Sequence, residues 1–364
     1  MSDARIALDT TLAVLDVAGT GRYVRRLEAA LGPILGDRLV SIRTRFAAAH
    51  LGPRTAAAMA RTLARDLWWH QGGVERAARG ARAGLLHLPS ASGPVRGKLP
   101  TVVTIHDLSV LHSPRDFRPW FRQYARVVIP RLARRAARVI TVSEATRRDV
   151  LERFGLPDER VVAIPNGVDA VTPQAPDGDT ENLPERFVLS VGALEPRKNL
   201  GRLFEAIRLL AERPGTSDIA LVHAGAYGWL AGGIVRAAHS SALRDRIRLL
   251  GYVPEERLAS LYAEARLLAY PSLLEGFGFP VLEAMARGCP VVTSDRSSLP
   301  EVAGDAAVLV DPESVEDIAE GIARVWEDDR LAADLRSRGF ERARLFSWER
   351  TARLTADVYA SVLR

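Results

Sequence analysis

Short apolar runs alternate with helix-patterned segments from one end of this sequence to the other. That alternation is the mark of α/β domains built on parallel sheets. In the first half the runs that read as strands are 6–8, 85–88, 101–105, 139–142 and 161–164. In the second half they are 187–191, 219–224, 247–250, 267–270, 290–293 and 306–310. Between them Leu200, Leu203, Phe204, Ile207 and Leu210 follow the i, i+3, i+4 spacing of a one-faced helix. A chain of 364 residues exceeds one ordinary core, so two Rossmann-like domains are expected, 1–170 and 186–346. The stretch 171–185, rich in proline and acidic residues, has neither period and reads as a linker. A last helix over 347–364, with Ser347 as its N-cap, is expected to pack back on the first domain.

Composition excludes several classes of function. No run approaches the ~18 apolar residues that cross a bilayer, and the charged start, Met1 to Arg5, is unlike a signal peptide. Cys289 is the only cysteine, so no intrachain disulfide or multi-cysteine metal site can form, and a cytoplasmic location is the expectation. Only two of the 50 basic residues are lysines, Lys98 and Lys198; the bias to arginine reads as coding composition, and no nucleic-acid partner is inferred. The distribution says more than the total. Residues 1–170 carry 27 basic and 15 acidic side chains, and residues 171–364 carry 23 and 29. The basic half suits an anionic partner, such as a membrane surface or a phosphate-bearing acceptor, or is a solvated surface. Arg131, Arg134, Arg135 and Arg138 would share one helix face, with Arg122, Arg126, Trp120 and Phe121 nearby, unless Pro130 breaks it.

Two nucleotide motifs fail on spacing. The segment from Gly93 to Leu99 imitates a P-loop but is one residue short, with Leu99 where a hydroxyl must hold magnesium. Gly19-Thr20-Gly21 begins a dinucleotide fingerprint, but Val24 occupies the third glycine position, and some ten residues of loop precede it.

Two other segments carry stronger signals. Glu275-Gly276-Phe277-Gly278-Phe279-Pro280 leads from a strand end into a helix that bears Glu283. Glycines there let backbone N–H groups approach an anion, and the helix start favours a diphosphate. Glu283, expected in the first turn, could accept from a ribose diol. Gly192 to Leu200 follows the first strand of the second domain, with Arg197 and Lys198 adjacent and Asn199 as the expected N-cap. Two cations at a strand's carboxyl end can neutralise a diphosphate. Lysine at 198, in a chain that otherwise uses arginine, points to a need for a compact ammonium. Each segment also fits an ordinary loop and a solvated helix start.

Taken together these motifs resemble the retaining GT-B glycosyltransferases called glycosyl transferases group one. The resemblance runs over nearly the whole chain and is most specific over 186–311. Ser298-Leu299-Pro300-Glu301-Val302, Thr104-Ile105-His106-Asp107, Thr141-Val142-Ser143-Glu144 and Ile164-Pro165-Asn166-Gly167 also stand in the expected order. It implies two Rossmann-like domains facing across a cleft and a nucleotide-diphosphate sugar as donor. Within the family the chain is most similar to bacterial mannosyltransferases of O-antigen and exopolysaccharide assembly, which favours GDP-mannose and a glycan or lipid-linked acceptor at the inner face of a membrane. The resemblance assigns Lys198 to the donor diphosphate, Glu283 to the ribose, Glu275 to the sugar hydroxyls and His106 to the neighbourhood of the sugar. Gly19 and Gly21 would form a loop against the donor phosphate, and Tyr252 and Val253 would line the base pocket. Gly192, Gly276, Phe277, Gly278 and Phe279 complete the expected donor contacts. Many members carry arginine after the glycine at 192; here Ala193 stands there, and Arg197 could supply the cation. Neither metal nor cofactor is implied, since the chain's one Asp-x-Asp, Asp177-Gly178-Asp179, lies in the linker. A sugar-nucleotide epimerase, a glycogen-synthase-like enzyme and a decayed sugar-nucleotide-binding subunit are the alternatives.

Overall fold

The computed structural model describes residues 4–14, 18–44, 65–169, 183–228, 230–239 and 243–364. The chain divides into two compact units, Met1–Gly167 with Phe346–Arg364, and Val168–Leu345. Most of the expected linker, including Asp177-Gly178-Asp179, lies outside the described residues.

Among the described residues the first unit carries six strands, β1 Arg5–Asp9, β2 Leu39–Ile42, β3 Ala83–Leu88, β4 Thr101–Ile105, β5 Arg138–Thr141 and β6 Val161–Ala163. All pair in parallel, in the order β2-β1-β3-β4-β5-β6. The described helices are α1 Thr11–Val14, α2 Ala18–Leu35, α3 Val74–Gly80, α4 Ser109–His112, α5 Pro119–Arg135 and α6 Glu144–Phe154. Sequence periodicity misses β2. It is a short edge strand that follows α2 closely, and its partial burial gives no clean apolar run. Where a loop is expected before Gly19, α1 stands instead. No helix follows the imitation P-loop, whose Lys98 backbone N–H is tied to Glu75 Oε1 at 2.6 Å ahead of β4.

The second unit has β7 Val188–Val191, β8 Leu221–Ala224, β9 Ile247–Gly251, β10 Leu267–Tyr270, β11 Val291–Ser294 and β12 Val308–Val310. Its parallel order is β12-β11-β10-β7-β8-β9. The chain enters at the middle of the sheet, builds outward to β9, then returns to the other side of β7. The order therefore reverses between β7 and β10, the kind of point at which open α/β sheets bind ligands. The helices are α7 Leu200–Ala211, α8 Ala231–Ala238, α9 Glu255–Glu264, α10 Phe279–Ala286, α11 Leu299–Ala303, α12 Val315–Glu327 and α13 Asp329–Ala343. The α7 stripe of Leu200, Leu203, Phe204, Ile207 and Leu210 is buried as its spacing requires. Each such side chain contributes about 1.5–3 kcal/mol.

The final helix, α14 Trp348–Leu363, belongs to the first unit and packs along α2. Ser347 caps it, its Oγ accepting from the Arg350 N–H at 3.2 Å. Among the described residues no helix is long and apolar enough to cross a membrane.

Candidate active site

Lys198, Arg197 and Glu275 meet at the reversal point of the second sheet. β7 delivers the two cations through the turn 192–199, and β10 delivers the carboxylate five residues beyond its end. Lys198 Nζ donates to Glu275 Oε1 at 2.6 Å, and Arg197 Nη1 donates to Glu275 Oε2 at 3.0 Å. Oε1 also accepts from Tyr270 OH at 2.8 Å and Ser272 Oγ at 2.6 Å. Three donors saturate Oε1, whereas Oε2 has one and room for another. Arg197 is held further by Glu195, Nε to Oε2 at 2.9 Å.

Burial sharpens the electrostatics. Glu275 is 8% exposed, and burial by itself would raise its pKa. The Lys198 and Arg197 charges, with hydrogen bonds from Lys198 and Ser272, outweigh that and hold it down to about 2. Burial lowers the Lys198 pKa, and Glu275 works against it. Lys198 also donates to Tyr270 OH and lies 4.9 Å from that ring's centre. The ammonium is thus enclosed, with little freedom of position.

Backbone geometry explains why this turn forms. Gly192 has φ +137°, and a Cβ there would meet the Lys198 stem at 3.1 Å. Gly278, at φ +108°, precedes α10, and its Cβ would meet Leu299 at 2.7 Å. Ser298 Oγ holds the intervening loop by the carbonyls of Glu275 (3.0 Å) and Phe277 (2.8 Å). Gly276 and Phe277 are buried in this loop, and Phe277 and Phe279 meet edge to face at 5.5 Å. Pro280 occupies the first turn of α10 as expected.

Three expectations need correction. Asn199 does precede α7, but its side chain does not cap it; Nδ2 donates to the Pro271 and Pro312 carbonyls at 3.0 and 2.6 Å, stapling the turn to the loop after β10. Glu283 is the fifth residue of α10, past its first turn, and is 7% exposed with Oε2 accepting from Tyr262 OH at 2.9 Å. Gly19 and Gly21 lie in the first turn of α2, the one exposed and the other buried, where a loop was expected. Tyr252 and Val253 follow β9 as expected, with Tyr252 74% exposed.

In the first unit His106 follows β4, and its Nε2 donates to the Pro89 carbonyl at 2.9 Å. Its ring meets Tyr23 edge to face at 4.8 Å. Burial lowers its pKa, so the imidazole is uncharged near neutrality. Behind it runs a buried polar chain that sequence reasoning missed. Tyr359 OH lies 2.6 Å from His87 Nδ1, His87 Nε2 lies 2.9 Å from Thr104 Oγ1, and Thr104 Oγ1 lies 3.2 Å from Tyr23 OH. Tyr359 is 272 residues from His87, so no local signal could have paired them. Tyr270 and Ser272 were easier to find, as polar residues at a strand end beside Glu275.

The chain is similar to known glycosyltransferases in sequence and in fold. Residues 173–342 match Glycosyl transferases group 1, and residues 17–172 match Glycosyltransferase Family 4. The O-antigen chain mannosyltransferase B of Escherichia coli is 34% identical over 268 residues, 71% of this chain and 69% of that protein. The chain belongs to the glycosyl transferases group 1 family. A second Escherichia coli relative, the serotype-specific mannosyltransferase WbdA, is 31% identical over 72% of this chain, which spans only 34% of WbdA. Among solved structures, a sucrose-phosphate synthase from Thermosynechococcus elongatus aligns with a TM-score of 0.77 at 23% identity, over 99% of both chains. Anabaena Alr3699/HepE in complex with UDP and glucose aligns with a TM-score of 0.72 at 19% identity, over 98% of this chain and all of that one. This glycosyltransferase therefore has the GT-B fold.

Proposed function

We propose that the enzyme transfers a hexose, with retention of configuration, from a nucleotide-diphosphate sugar to a hydroxyl of a glycan or lipid-linked saccharide. The observation that carries this reading is the Lys198–Glu275–Arg197 cluster at the reversal point of the second sheet. Lys198 and Arg197 would meet the donor diphosphate, exchanging part of their contact with Glu275 for phosphate oxygens. Glu275 Oε2 has room to accept from a sugar hydroxyl, and Glu283 would accept from the ribose. Gly192, Gly276, Phe277, Gly278 and Phe279 would border the diphosphate and sugar, and Tyr252 and Val253 the base. From the first unit, His106 would contact the sugar, with Gly19 and Gly21 near the donor phosphate.

In the reaction the acceptor oxygen forms a bond to the anomeric carbon as the bond from that carbon to the phosphate oxygen breaks. The departing diphosphate takes the acceptor's proton. The chain supplies orientation, and its two cations stabilise the growing negative charge. That stabilisation needs no metal ion, so activity should survive a chelator. The carboxylates are not assigned the glycosidase roles of acid and nucleophile. Mannose from GDP-mannose is the favoured donor, because the two relatives described above are named mannosyltransferases. The basic first half, 27 basic against 15 acidic residues, is read as meeting an anionic surface at the inner face of a membrane.

The test is a thermal-shift panel of GDP, UDP, ADP and TDP sugars, followed by turnover with the best ligand. Stabilisation by one nucleotide class and an NMR-assigned product of the donor's own anomeric configuration are expected. An inverted anomer would discard retention. Turnover of the donor without any acceptor would favour an epimerase.

A further inference from the structure

The expected arginine stripe on the first unit is redistributed by the fold. Pro130 does not break α5, which continues to Arg135, but Arg138 has already entered β5. Arg135 turns inward, donating to Leu99 O and Thr101 Oγ1 at 3.1 Å each. Arg126, Arg131 and Arg134 remain exposed on α5, as do Pro119, Gln123, Trp120 (46% exposed) and Val127 (43%). Trp120, Val127 and Arg134 recur every seven residues and so share one outward face.

These arginines border a recess of about 560 Å³ between α4, α5 and the end of α6. Arg126, Arg131, Arg134 and Arg153 line it, with Leu111 and Phe154 on its apolar wall and no acidic side chain among the lining residues. Arg153 is fixed in place. Its Nε donates to Asp149 Oδ1 at 2.7 Å and its Nη2 to His112 Nδ1 at 2.8 Å, while His112 Nε2 donates to Asp149 Oδ2 at 2.6 Å. Among the described residues Arg131 donates to the carbonyl of Val127, at 3.1 Å, and has no carboxylate partner. Among the described residues Arg126 and Arg134 have no carboxylate partner. A helix C-terminus accounts for Arg153 at the end of α6. The same effect favours Arg134 in the last turn of α5 but not Arg126 and Arg131 earlier in that helix; together these guanidinium groups raise the local potential and match phosphate oxygens in geometry.

We propose that this recess binds a phosphate group, either on a lipid headgroup or on a soluble phosphorylated molecule. The proposal rests on the reading that the first unit meets an anionic partner, and it gives that partner a defined site. The cations proposed to hold the donor diphosphate, Lys198 and Arg197, lie in the other unit, so the two readings can fail separately.

The test compares the unaltered chain with Arg126→Glu/Arg134→Glu and with Arg76→Glu/Arg79→Glu, an equal charge reversal at two exposed positions of α3. Inorganic pyrophosphate is titrated by calorimetry, in each case also with Lys198→Ala added, so that binding at the cations proposed for the donor diphosphate is separated from binding at the recess. Vesicles of phosphatidylcholine with phosphatidylglycerol are pelleted with the protein, beside vesicles of phosphatidylcholine alone. The recess pair should weaken one of these interactions by about ten-fold or more, and the α3 pair by less than about two-fold. Loss of pyrophosphate binding identifies a soluble phosphate as the source; loss of phosphatidylglycerol binding alone identifies the headgroup. Equal weakening in both variants would overturn the recess while leaving a general anionic surface standing. No binding of either probe by the unaltered protein would remove both ideas. If the double reversal fails to fold, Arg126→Ala/Arg134→Ala in the same assays decides the question.

Discussion

The two units set their polar residues against parallel sheets in opposite ways. In the second, the ends of β7 and β10 gather two cations and a carboxylate within hydrogen-bond distance. In the first, the residues around β3 and β4 gather histidines, tyrosines and a threonine, which burial keeps uncharged. Charged groups can stabilise charge that develops during a reaction; a neutral hydrogen-bonded chain can fix geometry but offers little electrostatic stabilisation. The contrast teaches that one fold class, used twice, can gather charged side chains at its strand ends in one copy and neutral ones in the other.

Substitutions can break that division, beginning where the effect should be largest. Lys198→Ala should lower turnover about 10²–10³-fold in saturating donor. Lys198→Arg should not rescue it, because the enclosed site fits a compact ammonium. Near-normal rates for the alanine variant would take the charge-stabilising role away from this cluster.

Glu275→Ala leaves the buried Lys198 ammonium without its carboxylate. It should cost about 3–5 kcal/mol of stability in denaturant unfolding, part of which a bound nucleotide-diphosphate sugar would restore. An unchanged midpoint would mean that the cluster is more hydrated than its burial indicates.

Tyr359→Phe removes one partner of buried His87 and should destabilise the protein by about 1–3 kcal/mol, leaving donor affinity intact. A selective loss of donor binding would show that the neutral chain does more than position.

The histidines make a related prediction about pH. Burial lowers His87 to about 3 and His223 to about 4, below the ordinary 6.5. Between those values and 6.5 the unfolded chain holds the extra protons, so stability rises with pH through this window and falls as acid is added. Glu275 acts in the same direction from 4.5 down to about 2. Unfolding free energies at pH 6.5 and 4.5 should therefore differ less in His87→Gln than in the natural chain. Equal slopes would mean that His87 takes up its proton over the same pH range folded and unfolded.

The smallest effect is expected at Tyr252. If its exposed ring borders the base, Tyr252→Ala should raise the donor KM several-fold with kcat unchanged, as loss of uniform binding does.

Much of this molecule is legible in the sequence because its signals are local. Eleven of the twelve strands among the described residues are readable as short apolar runs, and the buried face of α7 and the Ser347 cap follow from spacing over a few residues. The residue types at the site are legible for the same reason: Lys198 and Glu275 stand in turns whose glycines and prolines mark strand-to-helix junctions. Pairing across the sheet is not local. The strand order brings 197–198 against 275, and that contact sets which cation neutralises which oxygen. Tertiary structure likewise turned Asn199 from a cap into a staple, drew Arg135 inward while leaving Arg126 and Arg134 exposed, and joined Tyr359 to His87. Side-chain partners are chosen by burial and by which polar groups are left unsatisfied once the chain has packed, and both are properties of the whole fold.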